Sequence, residues 1–207
     1  MVRLIATGAL VLMLGGCAGS GMDLAQCRTA DWRAIGYEDG SQGRSATALG
    51  KRRQDCAGHG VTPHFAIYME GHAQGIAQFC RPQNGYRLGA RGYRYGGVCP
   101  TTLEDSFLFA HAEGFGLYQR RTAVTRLSKK LRRKHKRSKK IERLMVQKTT
   151  ALVVAKTPPS QRLTLGVEIK QLTEERIQIE RTINHLEMDL EQAQYEYESY
   201  NASVAHR

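Results

Sequence analysis

The chain has 207 residues, a formal net charge of +12, and 41% hydrophobic and 24% charged residues, which excludes disorder throughout and leaves room for one modest domain with an extension. The charge is segregated: residues 1–119 hold 11 Lys/Arg against 9 Asp/Glu, residues 120–156 hold 15 against 1, and residues 157–207 hold 5 against 9. A uniformly basic globule is thereby excluded, and a multi-domain enzyme would have too little chain left for its catalytic core.

Met1-Val2-Arg3 is a short positive start, residues 4–14 form an uncharged apolar run, and Leu14-Gly15-Gly16-Cys17 follows. So short a run cannot cross about 30 Å of hydrocarbon, which takes about 20 helical residues. It fits a secretory leader, and Leu14-Gly15-Gly16-Cys17 resembles the bacterial lipobox, whose cysteine receives diacylglycerol and becomes the first residue after cleavage. The expectation is a signal peptide over residues 1–16, a lipid on Cys17 and a tether over residues 17–26. Ala18, Gly19 and Ser20 follow with no Asp beside the cysteine, for which the lipobox resemblance implies sorting to the outer membrane, facing the periplasm. An ordinary signal peptide with an incidental cysteine is the plainer alternative.

Cys27, Cys56, Cys80 and Cys99 remain, an even set that reads as two disulfides in an exported domain. Three connectivities exist, and short loop closure favours Cys27–Cys56 with Cys80–Cys99. No C-x-x-C or H-x-x-x-H spacing occurs, so neither zinc nor any other metal or cofactor is expected.

Residues 27–119 repeat a small-x-x-x-small pattern beside aromatics: Gly36 with Gly40, Gly71 with Gly75, and Ala110 with Gly114. Four residues apart on a helix is one face. Each helical glycine costs about 1 kcal/mol relative to alanine, so close approach of two backbones is the expected compensation; turns are the other way to use these glycines. Residues 81–100 contain Asn84-Gly85 and a Gly/Tyr alternation between Cys80 and Cys99, which predicts a disulfide-closed loop with a short hairpin. Its tyrosines and arginines could stack on a sugar or aryl group, or simply cover the core.

Asp31-Trp32-x-x-Ile35-Gly36-Tyr37-x-Asp39-Gly40-x-x-Gly43, Val61-Thr62-Pro63 ahead of Tyr68-x-x-Gly71-x-x-x-Gly75, Asn84-Gly85-Tyr86-x-x-Gly89, and Tyr95-x-Gly97-Val98-Cys99-Pro100 ahead of Phe107 and Gly114 form a set. Over roughly residues 27–119 this set resembles a lipoprotein family of Gram-negative bacteria known only as a domain of unknown function. The resemblance implies export and a lipid anchor, and brings no catalytic residues. His64 departs from it, standing where an Asp able to cap the next helix is expected.

The last segment, residues 120–207, has a single glycine, Gly166. Leu165, Ile169, Leu172, Ile179, Ile183, Leu186, Leu190, Ala193, Tyr197 and Tyr200 alternate in steps of three and four, broken once by Arg176, which is a coiled-coil seam. Upstream, Val124, Leu127, Leu131, Ile141, Met145 and Leu152 follow the same spacing, with Lys134, Ser138 and Lys148 at intervening seam positions. Pro158-Pro159 should turn the chain between the arms. The predicted architecture is mostly α: a small disulfide-bonded Gly/aromatic-rich helical domain, then a long antiparallel coiled-coil hairpin. A homodimer zipped through residues 161–200 fits the same seam.

Lys129, Lys130, Arg132, Arg133, Lys134, Lys136, Arg137, Lys139 and Lys140 are the candidate polyanion-binding residues. In the cytoplasm such a run would suggest nucleic acid; export leaves lipid A phosphates, anionic phospholipid, peptidoglycan carboxylates or an envelope protein. A solvated helix face is the bland reading. The enzyme alternative, a metal-dependent or hydrolytic domain in residues 27–119, would use Glu70, His72, His111 and Glu113. Glu-x-His and His-x-Glu place their two groups about 200° apart on a helix, and no nucleophile-elbow, zinc-protease or phosphate-loop motif occurs, so no activity is expected.

Overall fold

A computed structural model describes residues 21–154 and 156–205. Cys17 and the apolar run before it lie outside the described residues. Among those described there are seven helices and no strand: α1 Leu24–Thr29, α2 Trp32–Ser41, α3 Ala48–Ala57, α4 Phe65–Phe79, α5 Pro82–Ala90, α6 Thr101–Val153 and α7 Pro159–Ala205. The chain divides into two compact units, one of residues up to Phe79 with Gly97–Cys99, the other of Cys80–Gly96 with the chain from Pro100 onward.

In the first unit, Asp23 starts α1 with a reciprocal cap: its carboxylate accepts from Gln26 N, and the Gln26 side chain accepts from Asp23 N. Asp31 caps α2 by accepting from Arg33 N and Ala34 N, both at 3.0 Å. Trp32, Leu49, Tyr68 and the Cys27–Cys56 disulfide form the core. Closing a loop of 29 residues, that disulfide contributes about 3–4 kcal/mol in the chain-entropy account. It is the sequential pairing the sequence favoured, and Cys80 and Cys99 are disulfide-bonded as well.

The helices α2 and α4 cross through glycine. A Cβ built on Gly36 would fall 2.9 Å from His72 N, and one on Gly40 2.8 Å from Ile76 N. From the other side, Gly71 would meet Tyr37 N at 3.0 Å and Gly75 would meet Ser41 N at 2.6 Å. The small-residue spacing therefore marks backbone-to-backbone packing rather than turns. His64, at the position before α4, offers its carbonyl to Tyr68 N.

The second unit contains the same crossing. Gly85 and Gly89 of α5 lie against Phe107 O and His111 O of α6, and Gly114 lies against Tyr86 O and Ala90 N. The correspondence is residue by residue. Gly36, Gly40 and Gly43 become Gly85, Gly89 and Gly92; Tyr68, Gly71, His72, Gly75 and Phe79 become Phe107, Ala110, His111, Gly114 and Tyr118. Gly43 (φ +70°) sits on the Phe79 ring and Gly92 (φ +79°) on the Tyr118 ring, both in the left-handed region that glycine enters freely. Residues 31–118 are thus two copies of one helix pair, and the connection in the first copy is longer and holds α3.

This corrects the loop expected over residues 81–100. Pro82–Ala90 is helical. Pro82 at the first turn presets φ and its missing N–H costs nothing there, and Gly85 serves helix packing, not an Asn-Gly turn. Beyond it Tyr95 donates to Glu104 (2.8 Å) and packs on Phe107.

From Thr101, α6 runs through residue 120 without a break, and α7 returns antiparallel along it. The seam is as the spacing predicts: Leu165, Ile179, Ile183 and Leu186 of α7 are buried, as is Ile141 of α6, and Leu131, Met145 and Leu172 pack around Ile141, Ile179 and Ile183. Arg176, the break in the seam, pairs with Glu180 at 3.2 Å. At the base of the hairpin Tyr200 donates to Glu113 O (3.0 Å), and Arg120 lies over its ring at 3.9 Å. The seam of α7 is covered by α6 of the same chain.

Candidate functional site

Two arrangements carry charge chemistry. The first is the face of α6 turned away from α7. Helical periodicity puts Leu127, Leu131, Lys134, Ser138, Ile141, Met145 and Lys148 toward the partner helix, where each is buried or half-buried. The same periodicity turns Lys129, Lys130, Arg132, Arg133, Lys136, Lys139 and Lys140 outward, and all seven are exposed.

The acidic arm does not neutralise them. Its ion pairs to α6 among the described residues are Arg137–Glu175 and Lys148–Glu168, and His135 Nε2 stands 3.8 Å from Glu187. Arg137 is bidentate, Nε and Nη2 donating to the two Glu175 oxygens at 2.7 and 2.6 Å, and these bonds hold that carboxyl below its usual range. Lys134 is half-buried beside the same carboxylate, whose pKa it also lowers. Of the nine basic residues singled out by sequence, Lys134 and Arg137 therefore serve the hairpin, and seven remain on the open face. From Lys129 to Lys140 this face is roughly 17 Å long at the helical rise. It leads into an open depression of about 280 Å³ lined by Thr122, Thr125, Arg126, Lys129, Lys130 and Arg133, where the Thr125 hydroxyl donates to Arg121 O and the four cations supply the charge. Lys and Arg side chains so exposed have the donors for charge-assisted hydrogen bonds to a phosphate or carboxylate.

The second arrangement was not anticipated. Asp39 on α2 is buried, 1% exposed, and accepts from Arg44 (3.1 Å), Arg52 and the Tyr68 hydroxyl (2.9 Å). Burial pushes its carboxyl up, but the hydrogen bonds from Arg52 and Tyr68 and the Arg52 charge outweigh this and hold it below the ordinary carboxylate range. Burial and the Asp39 carboxylate push the Tyr68 phenol to about 12. In the second copy the equivalent positions are Leu88 and Phe107, so the cluster belongs to one copy only. The signal available in sequence was Asp39 inside a glycine helix face, legible only once Gly36-Tyr37-x-x-Gly40 is laid on Gly85-Tyr86-x-x-Gly89.

The histidines and glutamates considered for catalysis have other partners. His72 Nε2 donates to Arg44 O and His111 Nε2 to Tyr93 O, both at 2.8 Å, each imidazole tying down the chain after the first helix of its copy. Glu70 is ion-paired to Arg33. Among the described residues no three His, Cys, Asp or Glu side chains are grouped as a metal would require, and no helix is long and apolar enough to cross a membrane.

No curated protein and no solved structure matches the chain. A family model described as "Protein of unknown function (DUF2799)" matches residues 31–116, which takes in both helix-pair copies and leaves the hairpin beyond residue 116 outside the match.

Proposed function

We propose that this is a lipid-anchored protein of the bacterial outer membrane, facing the periplasm, with a structural or adaptor role. Its open basic face on α6 would contact an envelope polyanion: peptidoglycan, lipid A or anionic phospholipid. The observation that carries the reading is the set of seven exposed cations left unneutralised although an acidic arm lies along the same helix. The disulfides are in keeping with an oxidising compartment.

Replacing Lys129, Lys130, Arg132, Arg133, Lys136, Lys139 and Lys140 by Gln tests it. At about 1 kcal/mol per cation near an anionic surface, co-sedimentation with phosphatidylglycerol vesicles or purified sacculi should weaken more than about a hundredfold, and its salt dependence should flatten. Unchanged binding would remove the basic face from the function. The anchor is tested separately, by intact mass of protein recovered from membranes. A diacylglyceryl-plus-acyl increment is expected on the chain beginning at Cys17 and absent after Cys17→Ser; an unmodified chain starting at Met1 would overturn it.

A further inference from the structure

We infer that the far end of the α6–α7 hairpin dips into the headgroup layer of an anionic bilayer, as a contact separate from the basic face. Four observations point there. The tip is apolar and outward-facing: Val146, Val153, Leu163 and Val167 are 66%, 75%, 76% and 58% exposed, with Val154 beside them. Two packed arms would be expected to end in polar residues; these end in branched aliphatics.

The tip also has no acid. Between Glu142 and Glu168 there is no Asp or Glu, while Arg143, Lys148, Lys156 and Arg162 fall in the same stretch, and Glu168 is itself paired to Lys148. Charge therefore favours a surface of phosphates and opposes a cationic partner, a second copy's own tip included.

The turn satisfies part of its own backbone. Where α6 ends, Val154 O accepts from Thr157 N (3.1 Å), Thr157 Oγ1 donates to Ala151 O (2.7 Å), and Arg162 Nε donates to Thr157 O (3.1 Å). Carbonyls at a helix end are normally left to water, and burying them unpaired is costly. Here Thr157 caps the Ala151 carbonyl and, with Arg162, the Val154 carbonyl, which lowers the cost of moving this end of the helix out of bulk water.

Finally, among the described residues no helix is long and apolar enough to cross a bilayer, so a contact made by this hairpin is interfacial. An aliphatic wedge within a cationic collar is the combination by which interfacial elements bind, apolar burial and headgroup attraction acting together.

The test places single tryptophans on the full chain as Val153→Trp, Leu163→Trp and, as a control at an exposed site near the base of α7, Tyr195→Trp. The native Trp32, buried in the core, gives a constant background. With vesicles of phosphatidylglycerol brominated high on the acyl chains, the two tip tryptophans should shift blue and be quenched, and the Tyr195→Trp emission should not. Val153→Asp with Leu163→Asp should weaken vesicle partitioning at least about tenfold. Neutralising the seven cations of the basic face should leave tip quenching in place at higher lipid. Vesicle binding without tip quenching would overturn the inference and spare the basic-face reading. Tip quenching indifferent to the basic face would uphold the inference and count against that reading. A blue shift in buffer alone, with a dimer by sedimentation, would overturn it in favour of a second copy as the occupant.

Discussion

Gly71→Ala should cost the first unit about 3 kcal/mol or more, although alanine is the better helix former. The new Cβ would sit against Arg33 O, 2.8 Å from Arg33 C and 3.0 Å from Tyr37 N. All three are backbone atoms of α2 and cannot rotate away. Relief requires the two helices to separate, which breaks the matching approaches at Gly36, Gly40 and Gly75 together. Overpacking of a tight core commonly costs about 1–3 kcal/mol, and this one is shared by every residue of the crossing. Against it stands a propensity gain of about 1 kcal/mol. That gain can be measured alone in the same protein, because Gly50 in α3 and Gly166 in α7 have nothing within 4 Å of a built Cβ. Gly50→Ala and Gly166→Ala should each stabilise by up to about 1 kcal/mol. Urea unfolding followed by Trp32, the one tryptophan of the chain, reports the first unit directly. If Gly71→Ala unfolds at the same denaturant concentration as the unsubstituted chain, the crossing is looser than described.

Legibility in the sequence followed the physics of each element. The hairpin was readable in full because a seam is a one-dimensional code: steps of three and four name the buried residues, and all of them, from Val124 to Tyr200, are buried or half-buried. The basic face was readable for the same reason, with one limit. Periodicity states which way a cation points, not whether an acid from the other arm reaches it, so Lys134 and Arg137 could be separated from their neighbours only with Glu175 in place. The glycine crossings were half readable. Gly36, Gly40, Gly71 and Gly75 announced themselves by spacing, whereas Gly85 stood after Asn84 and carried the local signal of a turn. What overrode that signal is tertiary, since α5 is held against Phe107 and His111 of a helix that begins many residues later. The Asp39 cluster was hidden because its partners Arg44, Arg52 and Tyr68 come from three different places in the chain, and no local pattern joins them.

The two copies of the helix pair also provide a built-in control for that cluster. Asp39→Leu alone should destabilise by about 3 kcal/mol, because it strands the Tyr68 hydroxyl inside the core and leaves Arg52 facing an apolar side chain. Tyr68→Phe alone should cost about 1 kcal/mol, since Asp39 keeps both arginines. The double variant reproduces Leu88 and Phe107 of the second copy, in which the same crossing folds with no such cluster. It removes the Asp39 acceptor and the Tyr68 donor together, a matched apolar replacement of that pair being often close to neutral, while Arg52 still lacks its carboxylate. It should therefore cost about 2 kcal/mol where the two single costs sum to about 4, a non-additivity of about 2 kcal/mol in the thermodynamic cycle. The pH profile gives a second readout. The Asp39 carboxyl is held low in the folded chain, so its stabilisation is complete above the ordinary carboxylate pKa and fades as pH falls through the folded value. The Tyr68 phenol is held at about 12, so its share is complete below its ordinary value of 10.0 and is lost as pH rises between the two. Both limbs should be missing from the double variant. Additive costs would mean that the two copies are not equivalent at these positions and that the polar cluster does something for the first copy which apolar packing cannot replace, and limbs that persist in the double variant would mean that other groups produce them.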